Sequence, residues 1–206
     1  MIVSVVGTAD AETTQQQVID DFSTLAREVQ QAGAQVVELN FSCPNVGRQE
    51  SEVYRDVDIA VKIAKAARRA VGSTPLLVKV GPLEERGEMV DLLRHLSGVV
   101  DGVVMINAPS RVMVSASGAP AFGAGRERAG MMGGAVFEIA MQCVRNAVEI
   151  VQRDGLQLRI LAVGGVCSAE RAKAFAEAGA YAVLGASACA WDPWLAIRAK
   201  QLDPLL

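Results

Sequence analysis

The chain has 206 residues, 51% hydrophobic, 21% charged and only 4% aromatic, which is enough apolar material for one buried core and excludes a disordered tail, a collagen-like rod and a coiled coil. Its 20 Lys and Arg against 23 Asp and Glu give a formal charge of −3, and no basic face interleaved with aromatics appears, which argues against nucleic acid as a partner. The four cysteines, Cys43, Cys143, Cys167 and Cys189, lie far apart with no C-x-x-C pair and no histidine at metal-ligand spacing, so a reducing compartment and no metal are expected.

The opening Met1-Ile-Val-Ser-Val-Val-Gly7 lacks a basic leader and a cleavable apolar segment. No apolar run reaches the roughly 18 residues of a membrane span, so a soluble, cytoplasmic protein with no membrane partner is expected. Six β-branched runs then follow along the chain: Ile2–Val6, Val36–Phe41, Leu76–Val80, Val103–Asn107, Arg159–Val163 and Ala182–Leu184. Each except the last precedes a longer segment of helical period. Val18, Phe22, Leu25 and Val29 share one helical face, with Gly33 as a stop; Ile59, Ile63, Ala67 and Ala70 repeat the pattern after the second run. Beyond a long middle segment, Phe137, Met141, Val144, Val148 and Val151 form another stripe, Ser168 with Glu170 marks a helix start, and a last helix is expected from Pro193 to about Gln201. The unassigned cysteines Cys143, Cys167 and Cys189 read as small buried hydrophobes.

Strands alternating with amphipathic helices predict an α/β fold with a parallel sheet buried on both faces. Asn40, Lys79 and Asn107 fall at or near the C-terminal ends of successive strands, and the last two strands end in Gly164-Gly165 and Gly185. A TIM (β/α)8-type barrel keeps its active site on that rim and often binds phosphate after its seventh and eighth strands. A complete barrel has eight strands in roughly 250 residues. The expectation is therefore one domain over residues 1–206, truncated to about six βα units, with Ile2–Val6 in the place of a third strand. Its unpaired first and last strands would promote self-association, readable by size-exclusion chromatography.

Val37-Glu-Leu-Asn-Phe-Ser-Cys-Pro-Asn45 resembles the active-site segment of the dihydroorotate dehydrogenase family, which includes the dihydropyrimidine dehydrogenases. Further matches follow in the same order: Val78-Lys79-Val80, Asn107, Gly133-Gly134, Gly164-Gly165 and Gly185-Ala186. The resemblance implies a barrel flavoprotein with FMN across its rim, in which a 5,6-dihydropyrimidine gives hydride to the flavin and a proton to a cysteine. Cys43 is then the base, and a cysteine there, where a serine marks the membrane-associated branch, resembles the soluble one. Asn40, Asn45 and Asn107 hold the substrate. Asn40, Lys79, the backbone of Ile106, Gly134, Gly164, Gly165, Gly185 and Ala186 contact FMN. A homo-oligomer or an electron-transfer partner subunit completes the expected set of partners.

Elementary chemistry supports several of these assignments. Glu38, Asn40 and Ser42 alternate with Val37, Leu39 and Phe41, so the polar set points to the barrel interior and the apolar set to the helices. Asn40 can donate and accept. A thiol of pKa ≈ 8.5 needs only a modest shift to take a carbon-bound proton near neutral pH. Lys79, on the interior face with Leu77, requires an anionic partner, and a cation beside a flavin stabilises charge on the reduced ring. The glycine pairs admit backbone N–H groups to a phosphate. The Gly-, Ala- and Ser-rich segment between Ala108 and Gly133 carries Arg111, Arg126 and Arg128 and is expected to fold over the substrate, with an arginine meeting a carboxylate.

Two departures stand against the family pattern. Ala108 follows Asn107 where a serine or threonine is usual, which removes a hydroxyl from the pyrimidine site and puts orotate specificity in question. The family's first two strands and their contacts have no counterpart in these residues. Two other readings compete: a non-catalytic truncated barrel or subunit without turnover, and a phosphate-binding lyase or isomerase barrel. The second leaves Ser42-Cys43-Pro44-Asn45 and Lys79 unexplained.

Overall fold

The computed structural model describes residues 1–8, 12–42 and 49–205. Six parallel strands form one sheet: β1 (Ile2–Val5), β2 (Val36–Asn40), β3 (Leu76–Val80), β4 (Gly102–Met105), β7 (Arg159–Val163) and β8 (Ala182–Leu184). They lie side by side in chain order, interrupted only by a separate two-stranded hairpin of β5 (Ser110–Val112) and β6 (Arg128–Gly130). The sheet curls into a half-barrel, an arc of the expected (β/α)8 architecture. Among the described residues both edges stay unpaired, since β1 bonds only β2 and β8 only β7.

Alternation along the strands decides the two faces. Val37, Leu39 and Phe41, with Leu76, Val78 and Val80 and with Val103 and Met105, point outward and are buried under the helices. Each such side chain removed from water contributes about 1.5–3 kcal/mol. On the concave face Leu77, Val104 and Leu161 form a second, smaller apolar cluster flanked by half-buried Val36, Val163, Ala182 and Leu184. Gly102 lets that cluster close, because a Cβ there would come within 2.7 Å of the Arg159 carbonyl and crowd Leu77 and Leu161.

The helices cover the convex face in register with the sequence pattern. α1 (Gln15–Gln31) opens on a capping box in which the Thr14 hydroxyl accepts from the Gln17 N–H and the Gln17 side chain accepts from the Thr14 N–H. Its Phe22 meets Phe41 edge-on at 5.5 Å. α2 (Val57–Val71) is capped by Asp56, and α3 (Arg86–Leu96) buries Met89, Leu92, Leu93 and Leu96. α4 (Phe137–Asp154) ends on Gly155 in the left-handed region at φ 62°. α5 (Ala169–Glu177) starts at the Ser168 cap. α3 and α4 are clasped by Arg86 with Glu149 at 2.6 Å and Arg94 with Asp154 at 2.9 Å. Arg153 and Arg94 together hold the Asp154 carboxyl well below the usual carboxylate range. Among the described residues no helix is long and apolar enough to cross a membrane.

Several sequence expectations shift. Val6, Phe41, Ile106 and Asn107 lie just beyond the strands, and β4 begins at Gly102. The buried stripe of α4 centres on Ala140, Val144 and Ala147, leaving Phe137, Val148 and Val151 at its margin. The last helix, α7 (Leu195–Leu202), starts two residues later than expected, and a short α6 (Ser187–Trp191) precedes it across Asp192, Pro193 and Trp194. The long middle segment is an antiparallel hairpin, continued by hydrogen bonds from Met113 to Glu127 and from Ala121 to Met113. Cys143 is buried as expected, but Cys167 and Cys189 are exposed because they sit on the strand-end rim and on the short α6.

On the opposite rim Arg68 gathers the loops before β3 and β4. Its guanidinium donates to the carbonyls of Val99, Gly72 and Thr74 at 2.9–3.0 Å and pairs with Asp101 at 2.5 Å. Asp101 also accepts from the Leu76 N–H at 2.7 Å. Arg68→Ala is expected to lower the unfolding free energy by about 2 kcal/mol, measured by urea denaturation, without moving the strand-end cleft described below.

Candidate active site

Because every strand of the main sheet runs the same way, all their C-terminal ends open on one rim. Parallel register pairs Asn40 with Lys79 and Lys79 with Val104, so β2 and β3 deliver two polar side chains to the concave face side by side. Asn107 follows two residues after β4. Its Nδ2 donates to Asn40 Oδ1 at 3.4 Å and also to the Ser42 carbonyl, while the Ser42 N–H donates to Asn40 Oδ1 at 3.2 Å. Residues far apart in sequence thus lock into one amide network.

Lys79 finds its anion within the protein. Its Nζ lies 3.1 Å from Glu38 Oε1, with side-chain exposures of 20% and 5%, and the Ser4 hydroxyl donates to the same carboxylate oxygen at 2.6 Å. Sequence alternation placed Glu38 on the interior face without indicating that it would lean along the sheet to Lys79. The pair leaves the outer end of the ammonium half-open to the rim.

A cleft of about 160 Å3 runs from Lys79 across Ile106, Asn107 and Ala108 to Gly164, Gly165 and Ala186, and is closed by Met131, Met132 and Gly133. It therefore brings together Lys79, Ile106, Asn107, Gly164, Gly165 and Ala186 from the sequence expectation. Asn40 adjoins it through Asn107. Gly134 and Gly185 stand behind its wall: a Cβ on Gly134 would lie 3.1 Å from Arg171 Nη1, and one on Gly185 3.0 Å from Cys189 Sγ. Cys43 and Asn45 lie outside the described residues.

The glycines after β7 have a packing reason of their own. Gly165 has φ 71°, and a Cβ there would sit 2.6 Å from the Phe137 nitrogen; Gly164 at φ 123° would bring one 3.0 Å from Ala140. Their missing side chains let α4 approach the strand end, and their backbone remains bare toward the cleft. Met131, Met132 and Cys167 also line the cleft and were missed by sequence reasoning, since single apolar or small residues on loops carry no periodic signal.

Beside this cleft lies a second, polar one, lined by Ser42, Ala108 and Ser110 together with Glu52, Arg55, Arg111 and Arg128. Arg111 and Arg128 both donate to the Ser110 carbonyl, at 3.1 and 2.9 Å, and Arg111 approaches Glu84 at 3.8 Å. Two of the three arginines expected over the substrate thus face its border, whereas Arg126 lines neither cleft. Behind Pro82, which lines this cleft, lies buried Tyr54, whose hydroxyl donates to the Pro82 carbonyl at 3.4 Å. Burial, then the nearby Glu52 carboxylate, pushes that phenol well above its ordinary range. Gly81 makes room for it, since a Cβ there would lie 2.5 Å from the Tyr54 oxygen.

The dihydroorotate dehydrogenase family model matches residues 2–201. The chain belongs to the dihydroorotate dehydrogenase family. It is 31% identical over 202 residues to the dihydroorotate dehydrogenase of Dictyostelium discoideum, covering 96% of this chain and 54% of that protein. With the catalytic subunit of dihydroorotate dehydrogenase B (NAD(+)) of Bacillus pumilus it shares 29% identity over 180 residues, 86% of this chain and 55% of that subunit. The solved structure of the Eimeria tenella DHODH in complex with ferulenol has the same fold, with a TM-score of 0.72 at 20% identity over 89% of this chain and 52% of that one. This dihydroorotate dehydrogenase family chain spans about half the length of the curated relatives it matches.

The Glu38–Lys79 pair permits a direct test of the concave face. Glu38→Leu leaves the ammonium unpaired and is expected to cost about 3 kcal/mol, whereas Glu38→Leu with Lys79→Leu recovers most of that loss; chemical denaturation of both variants measures it.

Proposed function

We propose that this chain is the cofactor-bearing part of an FMN-dependent oxidoreductase acting on the 5,6 carbon–carbon bond of a dihydropyrimidine, of the dihydroorotate or dihydrouracil kind. What supports this is the meeting of Asn40, Lys79 and Asn107 from three neighbouring strand ends, opposite two loops of bare glycine backbone. The residues fit the group: a cation on one side, and on the other Gly164 and Gly165, whose Cβ positions are already filled by α4. FMN would be held by Lys79, Asn40, the Ile106 backbone, Gly164, Gly165 and Ala186, with Gly134 and Gly185 backing that wall, and when bound it supplies the hydride acceptor.

The chain's own groups do the rest. Asn40 Oδ1 and Asn107 Nδ2 are engaged with each other, which assigns the complementary atoms, Asn40 Nδ2 and Asn107 Oδ1, to a ligand. One donor and one acceptor side by side match the amide edge of a pyrimidine ring. Asn45 would add a third contact. Cys43, next in sequence to Ser42 of this network, would take the carbon-bound proton as its thiolate. Ala108 offers no hydroxyl to the pyrimidine, so discrimination among dihydropyrimidines is looser than in a site with serine or threonine there. Lys79 places positive charge against the ring that accepts the hydride. Cytoplasmic pyrimidine metabolism is the setting this chemistry suits, with electrons leaving to a partner subunit or small acceptor.

Titration of the purified chain with FMN, followed by visible absorption, is expected to show stoichiometric binding. Anaerobic dihydroorotate or dihydrouracil should then bleach the flavin, and Cys43→Ser should slow that step by about 100-fold or more at neutral pH while leaving FMN binding intact. A folded chain that binds no FMN would instead favour the non-catalytic half-barrel, a reading to which the two unpaired sheet edges lend weight.

A further inference from the structure

Arg171, in the first turn of α5, stands behind the glycine wall of the cleft. Its Nη1 donates to the Gly165 carbonyl at 3.0 Å and to the Gly134 carbonyl at 3.1 Å, and its guanidinium lies over the Phe137 ring at 4.6 Å from the centroid. The two carbonyls belong to different loops, one after β7 and one in the 3-10 turn Gly133–Val136. The absence of a side chain on Gly134 is what lets the guanidinium reach both, since a Cβ there would lie 3.1 Å from Nη1. Phe137 is itself fixed edge-on against buried Phe175 at 5.2 Å, so the arginine rests on a rigid platform.

In a planar trans peptide the N–H points opposite to the carbonyl. Holding the Gly165 oxygen therefore turns the Val166 N–H away from Arg171, while the Gly134 oxygen, which also accepts from the Phe137 N–H of the 3-10 turn, ties that segment to the second loop. Gly133, Gly165 and Val166 line the cleft while Arg171 does not. We propose that Arg171 is a positioning residue for an anionic group in this cleft: it keeps two partly negative carbonyl oxygens off the cleft side and leaves the Val166 N–H facing it. Resting on the FMN reading above, the inference assigns to this arginine the discrimination between a phosphorylated flavin and the same ring without phosphate. Both bonds come from the one Nη1, so what a lysine lacks is the planar guanidinium face that rests on Phe137 and fixes the direction of that nitrogen.

Flavin affinity, read by quenching of flavin fluorescence, separates the possibilities when FMN and riboflavin are compared on the whole chain, with circular dichroism as the control for folding. Arg171→Ala and Arg171→Lys are both expected to weaken FMN binding about tenfold and to leave riboflavin binding unchanged, collapsing the preference for the phosphate. Equal losses for both flavins, or none, would overturn the inference and leave Arg171 a packing residue. Full FMN affinity in Arg171→Lys would also overturn it, since positive charge alone would then suffice. If Arg171→Ala fails to fold, Arg171→Lys, which keeps the charge and most of the volume, carries the comparison. A native chain that binds neither flavin overturns the cofactor reading itself, and this inference with it.

Discussion

The parallel ladder is the constraint from which the rest of this molecule follows. Because β2, β3 and β4 run the same way in adjacent register, side chains at equivalent heights on the concave face come from residues tens of positions apart. The polar ones gather where the strands end. Below them Leu77, Val104 and Leu161 close an apolar layer, and between the two layers Ser4, Glu38 and Lys79 form a chain of hydrogen-bonded charge. A charge pair so nearly enclosed is costly unless both members are satisfied, and here the carboxylate accepts from a hydroxyl and an ammonium together. The ammonium is held at the rim by the protein's own anion, which orients it before any ligand arrives.

Glycine serves two purposes at the opposite wall. Gly164 and Gly165 adopt positive φ and make way for α4, so their composition alone satisfies helix packing. Yet that packing also leaves the backbone on the cleft side uncovered, and Arg171 ties the same segment to the 3-10 turn before α4. Structural and functional demands on one glycine pair are not alternatives here. A single close approach of helix to strand end produces both.

Membership of the dihydroorotate dehydrogenase family is established over nearly the whole chain, while the chain spans about half the length of the curated relatives. These residues place Asn40, Lys79 and Asn107 at or just beyond the ends of neighbouring strands, together with the two glycine loops. A sheet with two open edges can still build this cleft, because the cleft lies along the arc between β2 and β8 and asks nothing of closure across the barrel axis.

The order of strands and helices, the inward set Glu38, Asn40 and Ser42, and the family motif were legible in the sequence, because alternation and helical period are local and each is repeated enough to read. So was the strand-end placement of the glycines. Other features were decided only by tertiary structure: the partnership of Lys79 with Glu38, the amide contact between Asn40 and Asn107, the hairpin within the middle segment, and the exposure of Cys167 and Cys189. Each depends on which residues meet across strands or loops. Arg171 is the plainest case: in the sequence it is one charge near a helix start, and its bonds to Gly134 and Gly165 exist only because folding brings two separate segments within reach of one guanidinium. A one-dimensional pattern records the direction in which a side chain points, but the partner it finds there is fixed by how the elements pack.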